Sequence, residues 1–111
     1  MSGSGPAPFS VTVEQVDERS VVTARGELDL ATAPELESAL LPPLREGASV
    51  ALDLRALEFM DSTGVRVIVA AHLAAQEHGG ALAVAVVDGG PVARVLEISG
   101  LDAVLRIVDR P

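Results

Sequence analysis

Cysteine, lysine, asparagine, tryptophan and tyrosine are absent from this 111-residue chain, and phenylalanine occurs twice. Without cysteine there is no disulfide frame, no thiol chemistry and no thiolate metal site. Without lysine there is no phosphate-binding loop of the Gly-x-x-x-x-Gly-Lys type. Two phenylalanines supply no stacking platform for single strands or RNA loops. Positive charge is scarce as well: eight arginines face 16 acids, for a net charge of −8. Such a chain lacks the electrostatic footprint of nucleic-acid binding. Long apolar runs are also missing. Arg66 and His72 interrupt the stretch from Val65 to Ala75, and Ala81–Val87 ends after seven residues, both short of the ~18 that a membrane span needs. The opening Met-Ser-Gly-Ser-Gly-Pro-Ala-Pro has neither the basic region nor the apolar stretch of a signal peptide. It reads as a disordered tail over residues 1–8, and the expectation is a cytoplasmic protein without membrane contact.

What remains is one domain, residues 9–111, because a chain of this length falls near the size of a single domain. Its apolar half is mostly small and aliphatic, with 17 Ala, 16 Val and 14 Leu. Phe9, Val11 and Val13 alternate with polar residues, as in a half-buried strand. Asp17-Glu18-Arg19-Ser20 reads as a turn and Val21–Arg25 as a second strand, together an antiparallel hairpin. Thr32-Ala33-Pro34-Glu35 reads as a helix start: Thr32 caps, Glu35 completes a capping box, and Pro34 is tolerated in the first turn. Leu36, Ala39 and Leu40 share a face, and Pro42-Pro43 is expected to stop the helix.

Val50–Leu54 is a short apolar strand. From Asp61 to His78, the residues Val65, Ile68, Val69, His72 and Leu73 recur at helical spacing, and Gly79-Gly80 supplies a left-handed C-cap. Ala81–Val87 reads as a parallel strand covered on both faces. Pro91 opens a third helix through Val92, Val95 and Leu96, which Gly100 ends, and Leu105–Val108 is a last strand. The order ββαβαβαβ predicts an α/β fold. Its sheet is mostly parallel, of four to five strands with an N-terminal antiparallel strand, and three main helices connect it by right-handed crossovers.

Phe59-Met60-Asp61-Ser62-Thr63-Gly64 carries the most chemistry, because it joins a strand to the start of the longest helix. Asp61 and Ser62 are both ordinary N-cap residues. Ser62 also suits phosphorylation: the phosphate would sit beside unpaired backbone N–H groups at the positive end of the helix dipole. An aspartic protease needs Asp-Ser/Thr-Gly, and Asp61-Ser62-Thr63-Gly64 has one residue too many. A serine hydrolase needs an oriented base, and no Gly-x-Ser-x-Gly elbow is present. His72 and His78 are six residues apart, so they do not share a face as a metal pair would. No metal, cofactor or enzymatic activity is expected.

Three segments in order resemble a known family: Gly26-Glu27-Leu28-Asp29 with Thr32-Ala33-Pro34; Asp53-Leu54 followed by Phe59-Met60-Asp61-Ser62-Thr63-Gly64; and Leu96-Glu97-Ile98-Ser99-Gly100-Leu101. Together they resemble a STAS domain of the stand-alone bacterial anti-sigma-factor antagonist kind, from about Phe9 to Val108. The resemblance implies a switch. The unphosphorylated antagonist binds an anti-sigma factor that is also a serine kinase with a histidine-kinase-like ATPase domain, which releases a sigma factor. Phosphorylation dissociates the pair, and a PPM-type phosphatase resets it. On this resemblance Ser62 is the phosphoacceptor, Asp61 matches the acid of the motif, and Thr63 stands where a second serine is usual. Gly64 completes the motif, and Glu27 and Asp29 belong to the partner-binding loop.

Arg66 stands where relatives often have a small residue. Four residues beyond Ser62, it is placed to pair with a phosphate there, or with Asp61 or Glu58 before modification. Val67, Ala70, Ala71 and Ala74 form a smooth apolar strip that suits a partner surface. Two other readings remain open: a subunit docking on an ABC-type transporter ATPase, and an orphan scaffold in a signalling assembly.

Overall fold

The computed structural model describes residues 8–111; the expected tail therefore lies outside the described residues, except for Pro8. The strands are β1 (Ser10–Val16), β2 (Arg19–Leu28), β3 (Ser49–Asp53), β4 (Leu57–Met60), β5 (Ala81–Ala85) and β6 (Arg106–Val108). The helices are α1 (Ala33–Arg45), α2 (Ser62–His78) and α3 (Pro91–Ile98), with a 3₁₀ turn at Leu101–Ala103. The sheet runs β1-β2-β3-β5-β6, and β4 pairs with β2 off this path. The β1–β2 pair is antiparallel and the other pairs are parallel. The mixed α/β architecture and the antiparallel N-terminal strand match the expectation. β4, which raises the strand count to six, does not appear in the sequence reading.

Local chemistry accounts for the boundaries. Asp17 takes a left-handed conformation, φ 58°, which Asp tolerates better than most residues, and this closes the β1–β2 turn. Gly26 sits at φ 94° where the β2–β4 register shifts. A Cβ there would stand 2.9 Å from the Phe9 Cα, so the irregularity requires glycine. Pro42 and Pro43 do not stop α1, which continues to Arg45. Leu44, fully buried one residue later, holds the final turn in helical form. Pro43 O and Leu44 O then accept hydrogen bonds from the backbone N–H groups of Glu46, Gly47 and Ala48.

The core lies between the sheet and the paired helices α1 and α2. Leu36, Leu40 and Leu44 of α1 join Val22, Ala24, Leu52 and Val84 of the sheet in one buried cluster. The inward face of α2 differs from the predicted one: it is formed by Gly64, Val67, Ile68, Ala71, Ala74 and Ala75. Leu73 points outward and is 55% exposed. Small side chains on this face let α2 approach α1 and the sheet closely, and the bulkier stripe is left on the less crowded side. β1 is more open than its alternation suggests. Val11 packs against the core, but Val13 is 53% exposed.

Candidate functional site

The site is built where β4 runs into α2. Asp61 adopts an extended backbone, and its carboxylate accepts a hydrogen bond from Thr63 N at 2.8 Å. It is therefore the N-cap. Asp61 N donates to Leu28 O at 3.3 Å, which continues the β2–β4 ladder, and Asp61 O accepts from Val65 N at 3.3 Å. Anchoring the helix thus falls to Asp61 alone. Ser62, the first residue of α2, is exposed, and among the described residues its hydroxyl makes no hydrogen bond within the chain. No acidic residue other than the cap occupies this first turn, so an anion on Ser62 would share the positive helix end with the Asp61 carboxylate alone.

Gly64 is buried one turn into the helix. A Cβ at this position would collide with Met60 Cγ and lie 2.9 Å from Leu28 Cδ2. The absence of a side chain therefore seats the start of α2 directly over β4 and the end of β2. In the β2–β4 register Glu27 is opposite Phe59 and Leu28 is opposite Met60. The structure accordingly brings the end of β2, from which the loop beginning at Asp29 leaves, beside Phe59–Asp61 at the start of α2, although some thirty positions of sequence separate the two segments. Asp29 also organises that loop. Its Oδ1 accepts from Ala31 N at 3.0 Å and from Thr32 N at 3.2 Å. The predicted Thr32–Glu35 capping box does not form, because Thr32 Oγ1 is engaged with Asp29 N and Glu27 O, both at 2.9 Å.

Two exposed apolar residues join this neighbourhood: Leu30, 77% exposed, which the sequence does not single out, and Phe59, 46% exposed, which opens the motif segment without a contact role there. The signals available for Phe59 were its place at the head of that motif and its being one of two phenylalanines. The expected strip on α2 is corrected in turn. Val67 and Ala71 are buried, at 3% and 0% exposure, and belong to the core rather than to a docking surface. Ala74 is buried with them, and Ala70 is half-buried. The close approach of α1 consumes this face. Arg66 is exposed and is paired with neither Glu58 nor Asp61; among the described residues the ion pair is Arg55–Asp53.

That ion pair fixes the turn delivering β4. Asp53, buried at the end of β3, accepts from Arg55 N, Nε and Nη2, each at 3.0 Å. Burial alone would raise its carboxyl pKa. The hydrogen bonds from the Arg55 side chain and backbone, with the charges of Arg55 and Arg25, outweigh burial and hold it below the ordinary value of 3.8. A carboxyl with a depressed folded-state pKa stabilises the fold fully above its unfolded pKa, and that contribution is lost as pH falls through the folded value. Asp53→Asn is therefore expected to lower the urea midpoint at pH 7, with the gap from wild type closing as pH drops below about 4. A gap that stays constant down to about pH 2 would remove the carboxylate from this role.

Among the described residues no group of three His, Cys, Asp or Glu side chains is arranged to hold a metal ion, and no helix is long and apolar enough to cross a membrane.

Comparison with known proteins agrees with this fold. The anti-sigma-B factor antagonist of Bacillus subtilis is 31% identical over 99 residues, covering 89% of this chain and 90% of the relative. The anti-sigma-F factor antagonist RsfB of Mycobacterium tuberculosis is 32% identical over 105 residues, covering 91% and 84%. The crystal structure of an anti-sigma factor antagonist from Mycobacterium paratuberculosis matches with a TM-score of 0.76 at 30% identity, over 90% of this chain and 85% of that one. The unphosphorylated form of SpoIIAA shares the fold, with a TM-score of 0.71 at 20% identity over 92% and 90% of the two chains. The family model described as the STAS domain matches residues 10–110, and the chain belongs to the STAS domain family.

Proposed function

We propose that this protein is an anti-sigma-factor antagonist, a binding regulator rather than an enzyme, whose partner binding is switched by phosphorylation of Ser62. The observation that carries the reading is the separation of roles at the start of α2. Asp61 caps the helix, while Ser62, the next residue, is exposed and, among the described residues, makes no side-chain hydrogen bond, just beyond the β2–β4 ladder that holds Glu27 opposite Phe59. The names of the relatives at 31–33% identity support the antagonist role. In this reading the unphosphorylated form docks in the cytoplasm on an anti-sigma factor that carries a histidine-kinase-like ATPase domain with serine-kinase activity, and a sigma factor is released. Glu27 and Asp29 supply polar contacts, and Leu30 and Phe59 supply apolar ones. ATP-dependent phosphorylation of Ser62 ends the contact, and a PPM-type phosphatase restores it.

Affinity capture from the source cell with Ser62→Ala and Ser62→Asp baits tests the switch. The Ala bait is expected to retain a small ATPase of this class, and the Asp bait is expected to lose it. Equal recovery on both baits would dismiss Ser62 as the switch.

Arg66 adds a feature to the phosphorylated state. It lies four residues after Ser62, so both side chains project from neighbouring positions on one helix face, and a guanidinium there suits a phosphate. Removing it with Arg66→Gly is expected to lower the Tm of the phosphorylated protein by roughly 2–4 °C more than that of the unphosphorylated one. Equal shifts in both states would eliminate the pairing.

A further inference from the structure

The face of the sheet turned away from α1 and α2 carries a second concentration of chemistry. The register aligns Arg19, Ser49 and Ala81 across β2, β3 and β5, and then Val21, Ala51, Ala83 and Arg106 across β2 to β6. Here the chain forms a cavity of about 330 Å³ lined by strand residues and the C-terminal stretch, with no helix residue among them. Three of the eight arginines, Arg19, Arg106 and Arg110, line it; no lining side chain is acidic, and the one anionic group among the lining residues is the terminal carboxylate of Pro111. Among the described residues none of the three is engaged in an ion pair. In a chain of net charge −8, this local balance runs against the whole. Folding alone does not require it, since like charges gathered on one surface repel.

The rest of the lining combines Ser49, Ala81 and Ala83, whose side chains are small, with the aliphatic Val50, Leu82 and Val108. The volume is at the lower end of the range for small-molecule pockets, which favours a compact ligand over an extended peptide. A second copy docked face to face would set arginine against arginine. The planar guanidinium fork matches phosphate oxygens in bidentate fashion. We propose that this groove is a binding site for a compact phosphate-bearing small molecule, held by Arg19, Arg106 and Arg110. It is independent of the Ser62 site. Arg19 begins β2 and Leu28 ends it, roughly 30 Å apart at the usual rise of a strand.

Titration of the isotopically labelled full chain with inorganic pyrophosphate, followed by amide chemical shifts at about 0.15 M ionic strength, tests the site. Saturable shifts are expected at Ser49, Ala81, Ala83 and Arg106, with Glu27 and Ser62 unmoved. Arg19→Gln and Arg106→Gln are each expected to weaken binding by about tenfold, whereas Arg94→Gln on α3 leaves it unchanged. Arg110→Gln, outside every strand, is expected to show the same loss without altering the sheet. Shifts that fail to saturate and spread equally to Arg45, Arg66 and Arg94 would overturn the proposal. Saturable binding of a glutamate-rich peptide without binding of pyrophosphate would also overturn it, by assigning the groove to a protein partner.

Discussion

Phosphorylated at Ser62, the protein is expected to bind its anti-sigma partner about 2–4 kcal/mol more weakly than before, a loss of roughly 30- to 1,000-fold, while its thermal stability changes little. The two halves of this expectation have separate causes. A phosphate brings about −1.5 to −2 charges and a tightly held hydration shell. At a contact flanked by Leu30 and Phe59, which are both exposed, that shell must be stripped or the surfaces held apart. Within the chain the same charge sits at the positive end of α2, and no hydrogen bond of the Ser62 hydroxyl is lost. Titration calorimetry of both forms against the purified partner, paired with thermal melts, measures both effects. A phosphorylated form that melts well below the unmodified one would mean that the switch acts by unfolding rather than at the surface. Equal affinities would mean that the partner does not contact this end of the molecule.

Gly64→Ala is expected to cost about 1–3 kcal/mol of stability, roughly 4–20 °C in Tm for a domain of this size. The new methyl would collide with Met60 and lie within 2.9 Å of Leu28 Cδ2. Both neighbours are buried, so the start of α2 must lift or the two side chains must leave their packed positions. Either response displaces Ser62 relative to the Glu27–Asp29 loop, and weaker partner binding should accompany the lower Tm. Shortening the obstacle provides the control: in a Met60→Ala background the same substitution should cost distinctly less, because the variants share a contact. Equal costs in the two backgrounds would show that Met60 does not set the approach of the helix.

The parts of the fold visible in the sequence are those governed by near neighbours. The Asp61 cap and the left-handed Gly79 bracket α2 as expected, and the apolar run from Ala81 yields β5. What escaped prediction depends on partners distant along the chain. β4 is four residues long and exists because β2, beyond its irregularity at Gly26, offers it a parallel edge. The inward face of α2 was ambiguous because both candidate stripes are apolar, and only the close approach of α1 selects the alanines. Pro42 and Pro43 carry a local stop signal that the burial of Leu44 overrides. At the site, Asp61 and Ser62 could be placed from their own surroundings. The loss of Val67 and Ala71 to the core, and the exposure of Leu30 and Phe59, depend on which elements cover them.

The way β2 shares out its hydrogen bonds gives the site a stability of its own. Arg19–Thr23 pair with β3, while Gly26–Leu28 pair with β4. The two halves of the site are held by this second, shorter ladder. Peeling β4 from β2 would break the site apart and leave the central strands intact, so its free energy of opening lies below that of global unfolding. Amides in the β2–β4 ladder should exchange with solvent sooner than those joining β3 to β5. A bound partner that bridges the Glu27–Asp29 loop and Phe59 would slow that exchange selectively, leaving a record of docking in the protein backbone.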